Sequence, residues 1–375
     1  MTDYQQIRHT LHQLAEPSGQ EIRTHQFILE ILKKSCPTHI HTFENSRNIL
    51  AVYDSGGEGP TLLFRGDFDA VRVEETLPLP YASQTAGVSH KCGHDGHTAI
   101  LLGLAEELHL HRPTVGRVLL FFQAAEETGE GAAQLLQSGI LESYRPDRLF
   151  ALHNIPGEEL GTVVCKTGSF TCSVISCDLL LHGRTSHAAE PQKAVCPYPA
   201  ARTITDRLLS LNQYDMRRND FRLITLCEFR VGETAYGVTA GHGVLRFTLR
   251  AKEDELLQQT KAELARIVEN ATRDTAELHS QIIWKEYFAA SRNEGTAVAQ
   301  IQSAAEACGL AYRQLELPFS WGEDFGLLTQ HYPGALFGLG SGTSQPSLHN
   351  ERFDFPDALV PIGIQLFSQL AHQNS

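Results

Sequence analysis

Five consecutive apolar residues, Val-Leu-Leu-Phe-Phe at 118–122, sit inside the strand-length segment 117–123. Successive side chains of a strand point to opposite faces, so an unbroken apolar run must be covered on both sides. That places the segment inside a sheet with helices on each face, the α/β layer arrangement. The flanking sequence agrees. Residues 48–53, 61–65 and 148–153 read as further strands, while 4–14, 21–34 and 131–137 carry the spacing of helices. Another helix follows the loop 74–93, capped by Asp95 or Thr98, with Ile100, Leu101, Leu104 and Leu108 on its buried face.

The pattern changes near residue 170. Strand-like segments at 173–182, 221–230 and 244–251 alternate with helical ones at 198–211 and 254–274, an antiparallel α+β arrangement. After residue 282 the α/β pattern resumes, with a helix at 296–308. The reading is a mixed, mostly parallel sheet flanked by helices, formed by 1–169 and 281–375 and interrupted by an inserted α+β domain at 170–280.

Charge narrows the partners. With 31 basic and 44 acidic residues the net charge is -13, which argues against nucleic acid or an anionic membrane as partner. No apolar run reaches the roughly 18 residues of a membrane span. Residues 1–10 are polar, so no signal peptide is expected. Eight scattered cysteines then read as free thiols, and the cytoplasm is the expected location.

Chemistry concentrates in two clusters. In Cys92-Gly93-His94-Asp95-Gly96-His97, a thiol and an imidazole two residues apart project to one side of an extended loop. Thiolate and imidazole suit zinc or a similar ion, although a His-rich turn before a helix has the same look. The second cluster, Glu126-Glu127, directly follows the buried strand. For both carboxylates to serve one site, the chain must turn at the carboxyl end of that strand, where open α/β sheets bind ligands. One carboxylate could then hold metal while the other acts as general base. Asp67, Asp69 and His153 lie at other strand ends, and His349 lies in a Ser/Gly/Pro-rich loop.

These segments, in this order, resemble a known family. Arg65-Gly66-Asp67-Phe68-Asp69-Ala70, Cys92 to Ala99, Gln123 to Glu127, Leu152-His153-Asn154, Gly183 to Pro191, Gly322-Glu323-Asp324-Phe325 and His349 to Phe353 look like the aminoacylase/carboxypeptidase-G superfamily of metallohydrolases. More narrowly, they resemble the branch of hippurate hydrolases, bacterial N-acyl-amino-acid amidohydrolases and plant auxin-conjugate hydrolases. Arg8 to His12 and Gln20 to Thr24 fit as well, so the resemblance spans nearly the whole chain.

The resemblance implies two divalent metal ions (zinc, manganese, cobalt or nickel) held by Cys92, His94, Glu127, His153 and His349. It implies Glu126 as general base, with Asp67 and Asp69 orienting ligands from behind. His187 of the inserted domain would stabilise the oxyanion and touch substrate, and Arg250 would take the substrate carboxylate. The expected function is hydrolysis of an N-acyl-amino acid or similar small amide by water activated at the metals. The insert would serve as lid and as the surface of a homodimer. A dipeptidase or carboxypeptidase with the same site, or a non-catalytic relative that binds a small molecule, are the alternatives. Three departures leave the metal ligands intact, two of them in the insert. Tyr236 to Gly241 replaces an Asn-Val-Ile-Pro run, Arg72 stands where a proline is usual, and Cys196-Pro197 replaces Asp-Pro. His90 and His97 flank the ligand loop and read as supporting the ligands from behind or as structural, and Cys172 and Cys177 face opposite sides of one strand.

Overall fold

The computed structural model describes residues 3–373, so the first two residues of the polar segment 1–10 lie outside it. The chain divides into two units. One comprises the chain up to Phe170, Ser291–Glu316 and the chain from Glu323; the other comprises Thr171–Ala290 and Leu317–Gly322.

The first unit opens with α1 (Tyr4–Leu14), α2 (Ile22–Lys34), β1 (His39–Thr42), β2 (Ile49–Asp54), β3 (Thr61–Asp67), α3 (His94–Leu110) and β4 (Arg117–Gln123). It continues through α4 (Gly131–Gln137), α5 (Ile140–Tyr144), β5 (Arg148–Pro156), β6 (Val163–Cys165) and β7 (Gly168–Ser169). The second unit contributes β8 (Ser173–His182), α6 (Tyr198–Leu209), β9 (Arg222–Val231), β10 (His242–Ala251), α7 (Asp254–Thr272) and β11 (His279–Phe288). The first unit then resumes with β12 (Arg292–Asn293), α8 (Gly295–Ala307), β13 (Tyr312–Gln314), α9 (Phe325–Thr329), β14 (Gly334–Gly342) and α10 (Leu359–His372).

The large sheet has the order β1-β2-β4-β3-β5-β14-β6-β13. Its centre, β4-β3-β5-β14, is parallel, while β2 runs antiparallel to β4. Every residue of β3 is buried, as are the apolar five of β4, which is why these strands lack polar alternation. Leu11, Ile28, Leu101, Leu104, Ile301 and Leu366, from five helices, join Phe64, Leu120 and Phe337 in one core. There α3 and α10 approach closely: a Cβ on Gly363 would lie 2.5 Å from Ile100.

Two expectations change, and one helix is new. The helix over 94–110 has Gly93 at its cap, with no side-chain cap bond; Asp95 turns instead to Arg8 and His12, and Thr98 Oγ1 donates to the Asp67 carbonyl. The boundary at 280 falls inside β11, which pairs with β8 in the four-stranded antiparallel sheet β11-β8-β10-β9. As an outer strand β11 is half exposed and mixes polar with apolar residues, so it carries little strand signal. The terminal helix α10 had no counterpart in the sequence reading.

Candidate metal centre

The candidate residues of the first unit gather around the carboxyl-terminal ends of β3, β4 and β5. Asp67 ends β3, with Asp69 two residues on; Glu126 and Glu127 follow β4; His153 lies in β5; Cys92 and His94 flank the start of α3. His349 comes from the loop after β14, and its N–H donates to the Lys91 carbonyl at 2.8 Å, which ties that loop to Cys92.

Two backbone positions aim these groups. Gly93 has φ 97°, and a Cβ there would meet Asn154 Oδ1 at 2.5 Å. Cys92 and His94 therefore converge through a left-handed turn, not through the extended loop expected from sequence. After β4, Ala125 has φ 52°, the turn that sequence required if both glutamates were to serve one site. Buried side chains hold the turn: Asn48 Oδ1 accepts from the Ala124 N–H at 2.9 Å and Asp69 Oδ2 from the Glu127 N–H at 3.0 Å.

The ligand atoms of Cys92, His94 and His153 lie within 4.8 Å of one another, and so do those of Cys92, Glu127 and His349. Cys92 stands in both sets. Each buried histidine is fixed through Nδ1, His94 against Asp69 at 3.1 Å and His153 against the Asn154 carbonyl at 2.9 Å, leaving Nε2 for the centre. His94 Nε2 is buried without a hydrogen-bond partner among the described residues and lies 3.7 Å from Glu127. His349 Nε2 is 3.2 Å from Glu127 Oε1, without the alignment of a hydrogen bond.

Two neighbouring groups are already satisfied. His97 spends Nδ1 on Asp67 at 2.6 Å and Nε2 on Asn154 at 2.7 Å, so it orients others instead of offering a ligand atom. Asp67, Glu126 and Glu323 converge too, but the buried Arg65 guanidinium pairs with Asp67, Glu323 and Asp324. Sequence reasoning assigned no role to Arg65 or Glu323. The signal was present: an arginine directly after the apolar run Leu62-Leu63-Phe64 of a buried strand demands acidic partners. Asp324 also accepts from Gln123 and from the Ala132 N–H, joining the starts of α4 and α9.

The donors are electrostatically incomplete as a protein-only cluster. Burial, then Glu127 and Glu126, push the Cys92 thiol well above its usual range. Burial, then Glu323 and Glu127, do the same to the Glu126 carboxyl. Burial opposes charge on His94, yet Asp67, Asp69 and Glu127 raise it to about 10. The Glu127 carboxylate, 3.2 Å away, raises His349, partly offset by burial. Crowded acids, a raised thiol and an unpartnered imidazole nitrogen are the donor set of a site that fits divalent cations of borderline softness.

His187 and Arg250 belong to the second unit. His187 is exposed, and its Nδ1 accepts the Ala189 N–H at 3.0 Å, which puts the proton of a neutral ring on Nε2. Its strand-like bridge partner is Val238, inside the segment that departs from the family pattern. Arg250, near the end of β10, donates to the Ser320 carbonyl at 3.1 Å.

The sequence model of peptidase family M20/M25/M40 matches residues 63–373. The chain belongs to this family and is a metal-dependent amide hydrolase. An N-acetyl-L-cysteine deacetylase of Bacillus subtilis is 31% identical, over 88% of this chain and 79% of its own length. An N-acetyldiaminopimelate deacetylase of Limosilactobacillus fermentum is 29% identical, over 89% of this chain and 88% of its own. A solved Bacillus subtilis structure, described as a dinuclear metal binding peptidase of the M20 family, superposes with a TM-score of 0.81. It shares 26% identity, covering 98% of this chain and 96% of that one.

Proposed function

We propose that this chain cleaves the amide bond of N-acyl-amino acids at a two-metal centre held by Cys92, His94, Glu127, His153 and His349. The observation that carries the proposal is the pairing of Glu126 with Glu127. Both carboxylates stand within reach of His94 Nε2, Glu127 Oε1 at 3.7 Å and Glu126 Oε2 at 4.0 Å, but Glu127 alone also joins Cys92 and His349. A binding module has no need of such a base. The relatives support the substrate class, being deacetylases of acetylated amino acids. A thiolate ligand favours softer ions over magnesium, and zinc, manganese, cobalt and nickel are the candidates.

Bound ions would supply positive charge that polarises the amide carbonyl and acidifies water. The protein's own groups do the rest. Glu126 accepts the proton from water and passes it to the leaving amine. Asp69 keeps His94 in the tautomer whose Nε2 faces the centre, and Asp67 holds His97 behind it. His187 presents Nε2–H as donor to the developing oxyanion, and Arg250 pairs with the substrate carboxylate. In this reading the first unit is catalytic and the second is the lid and dimerisation surface. Eight free cysteines favour a reducing compartment, the cytoplasm.

The test is hydrolysis of a panel of N-acetyl-, N-benzoyl- and indoleacetyl-amino acids by metal-depleted protein, with single metals restored. Metal-dependent release of the free amino acid is expected. Turnover confined to unblocked dipeptides would replace the proposal with a dipeptidase, and no release with any metal despite binding would leave a binding protein. In parallel, Cys92→Ala should lower the bound metal found by elemental analysis, since it removes a ligand from both sets; unchanged stoichiometry would refute the ligand assignment.

A further inference from the structure

Glu21 immediately precedes α2, where it makes no side-chain cap bond to the helix. Its side chain runs inward instead. It is fully buried, and Oε1 accepts the Ala125 N–H at 2.9 Å. Ala125 is the left-handed residue of the turn after β4, a conformation a Cβ disfavours. Its carbonyl accepts the N–H groups of Glu130 and Gly131, each at 3.1 Å. Glu126 and Glu127 come next in sequence. Asn48 and Asp69 hold the peptides on either side, but Glu21 grips the left-handed residue itself.

Stability alone gives little reason for a carboxylate here. Burial, with the Asp69 charge, pushes Glu21 up to about 7, and Oε2 has no hydrogen-bond partner among the described residues. A buried acid is costly to keep; among the described residues its one hydrogen bond of full geometry is from the Ala125 N–H, with its own and the Gly19 backbone N–H groups near enough to favour its charge.

We propose that Glu21 is a positioning residue: its hydrogen bond holds Ala125 in the left-handed conformation that aims Glu126 and Glu127 into the metal centre. The proposal rests on the reading of those two residues as base and ligand. Glu21→Ala removes the acceptor, Glu21→Gln keeps a carbonyl oxygen for the same N–H, and Ala125→Gly removes the conformational penalty that the bond offsets.

The experiment measures zinc affinity by chelator competition, and kcat and KM on the best panel substrate, for the zinc-loaded protein. Glu21→Ala should weaken the lower-affinity zinc about tenfold and lower kcat at least tenfold, with KM little changed. Glu21→Gln should stay within about threefold of the parent on both. Ala125→Gly added to Glu21→Ala should recover most of the loss, a rescue that a merely structural role would not show. If Glu21→Ala does not fold, the Glu21→Ala/Ala125→Gly double variant is expected to fold and bind zinc. Parent-like behaviour of Glu21→Ala, a Glu21→Gln as impaired as the alanine, or a glycine without rescue would each overturn the proposal. Failure of the parent protein on every substrate would sink the functional reading alone, because zinc affinity still compares the variants.

Discussion

Glu126 and Glu127 are chemically identical neighbours, and their surroundings separate them. Glu127 Oε1 faces His94 and His349. Glu126 is nearly buried beside Glu323, and the Asp324 N–H points at its Oε1 from 3.4 Å. A base assignment for Glu126 therefore makes a selective prediction. Glu126→Gln keeps shape and loses proton transfer, so turnover should fall by at least about 10²-fold while metal content stays at the parent level. Assay and elemental analysis on one preparation check both halves, and near-parent turnover would remove Glu126 from the mechanism. The Gly93 turn works at the same scale: it lets the first helical residue, His94, share a site with Cys92.

At the scale of elements, α1 is fastened to the start of α3 by buried charge. Arg8 and His12 both reach Asp95, and His12 also meets Glu75. Burial opposes charge on His12, but Asp95 and Glu75 outweigh it and raise its pKa to about 9. A histidine raised on folding contributes stability that is complete below its unfolded pKa of about 6.5 and is lost as pH rises through the folded value. The Tm difference between the protein and His12→Asn should thus be largest near pH 6 and shrink by about pH 9; a difference that grows with pH would refute the charged His12. A second element contact is steric. Gly363 on α10 leaves room for Ile100 on α3. Overpacking costs about 1–3 kcal/mol, more than the roughly 1 kcal/mol that alanine gains over glycine in helix propensity. Gly363→Ala should lower Tm by a few degrees in a thermal scan; an unchanged or raised Tm would show that the helices separate without cost.

At the scale of the molecule, the four-stranded sheet of the second unit ends in β9 and β11. Outer strands carry unpaired backbone groups that invite pairing with another chain. The homodimer proposed through this unit would cover one of them. Light scattering after size exclusion should give about twice the 41.5 kDa chain mass. Charge reversals along the edge that pairs should return the monomer, and a monomer at all concentrations would count against the lid unit as a dimer surface. Among the described residues no helix is long and apolar enough to cross a membrane.

Much of this was legible in the chain itself. The run at 118–122 required a sheet covered on both faces, and Glu126-Glu127 after it required a turn if both acids were to face one site. Both follow from local rules, strand alternation and the reach of adjacent side chains, which need no knowledge of distant residues. The half-exposed β11 was lost because an outer strand is not compelled to alternate, and the cap of α3 was misplaced because Asp95 serves Arg8 instead of its own helix. Which histidines can offer a nitrogen was likewise undecidable from spacing. His94 and His97 sit three apart on one helix, and only Asp67 and Asn154, brought in from β3 and β5, consume both nitrogens of His97. Residue types and their order thus determined the layers, the donor inventory and the class of chemistry. Tertiary structure decided the partner of each polar atom, because hydrogen bonds and ion pairs in a buried site join separate segments, 25 residues apart for His94 and Asp69 and 258 for Arg65 and Glu323.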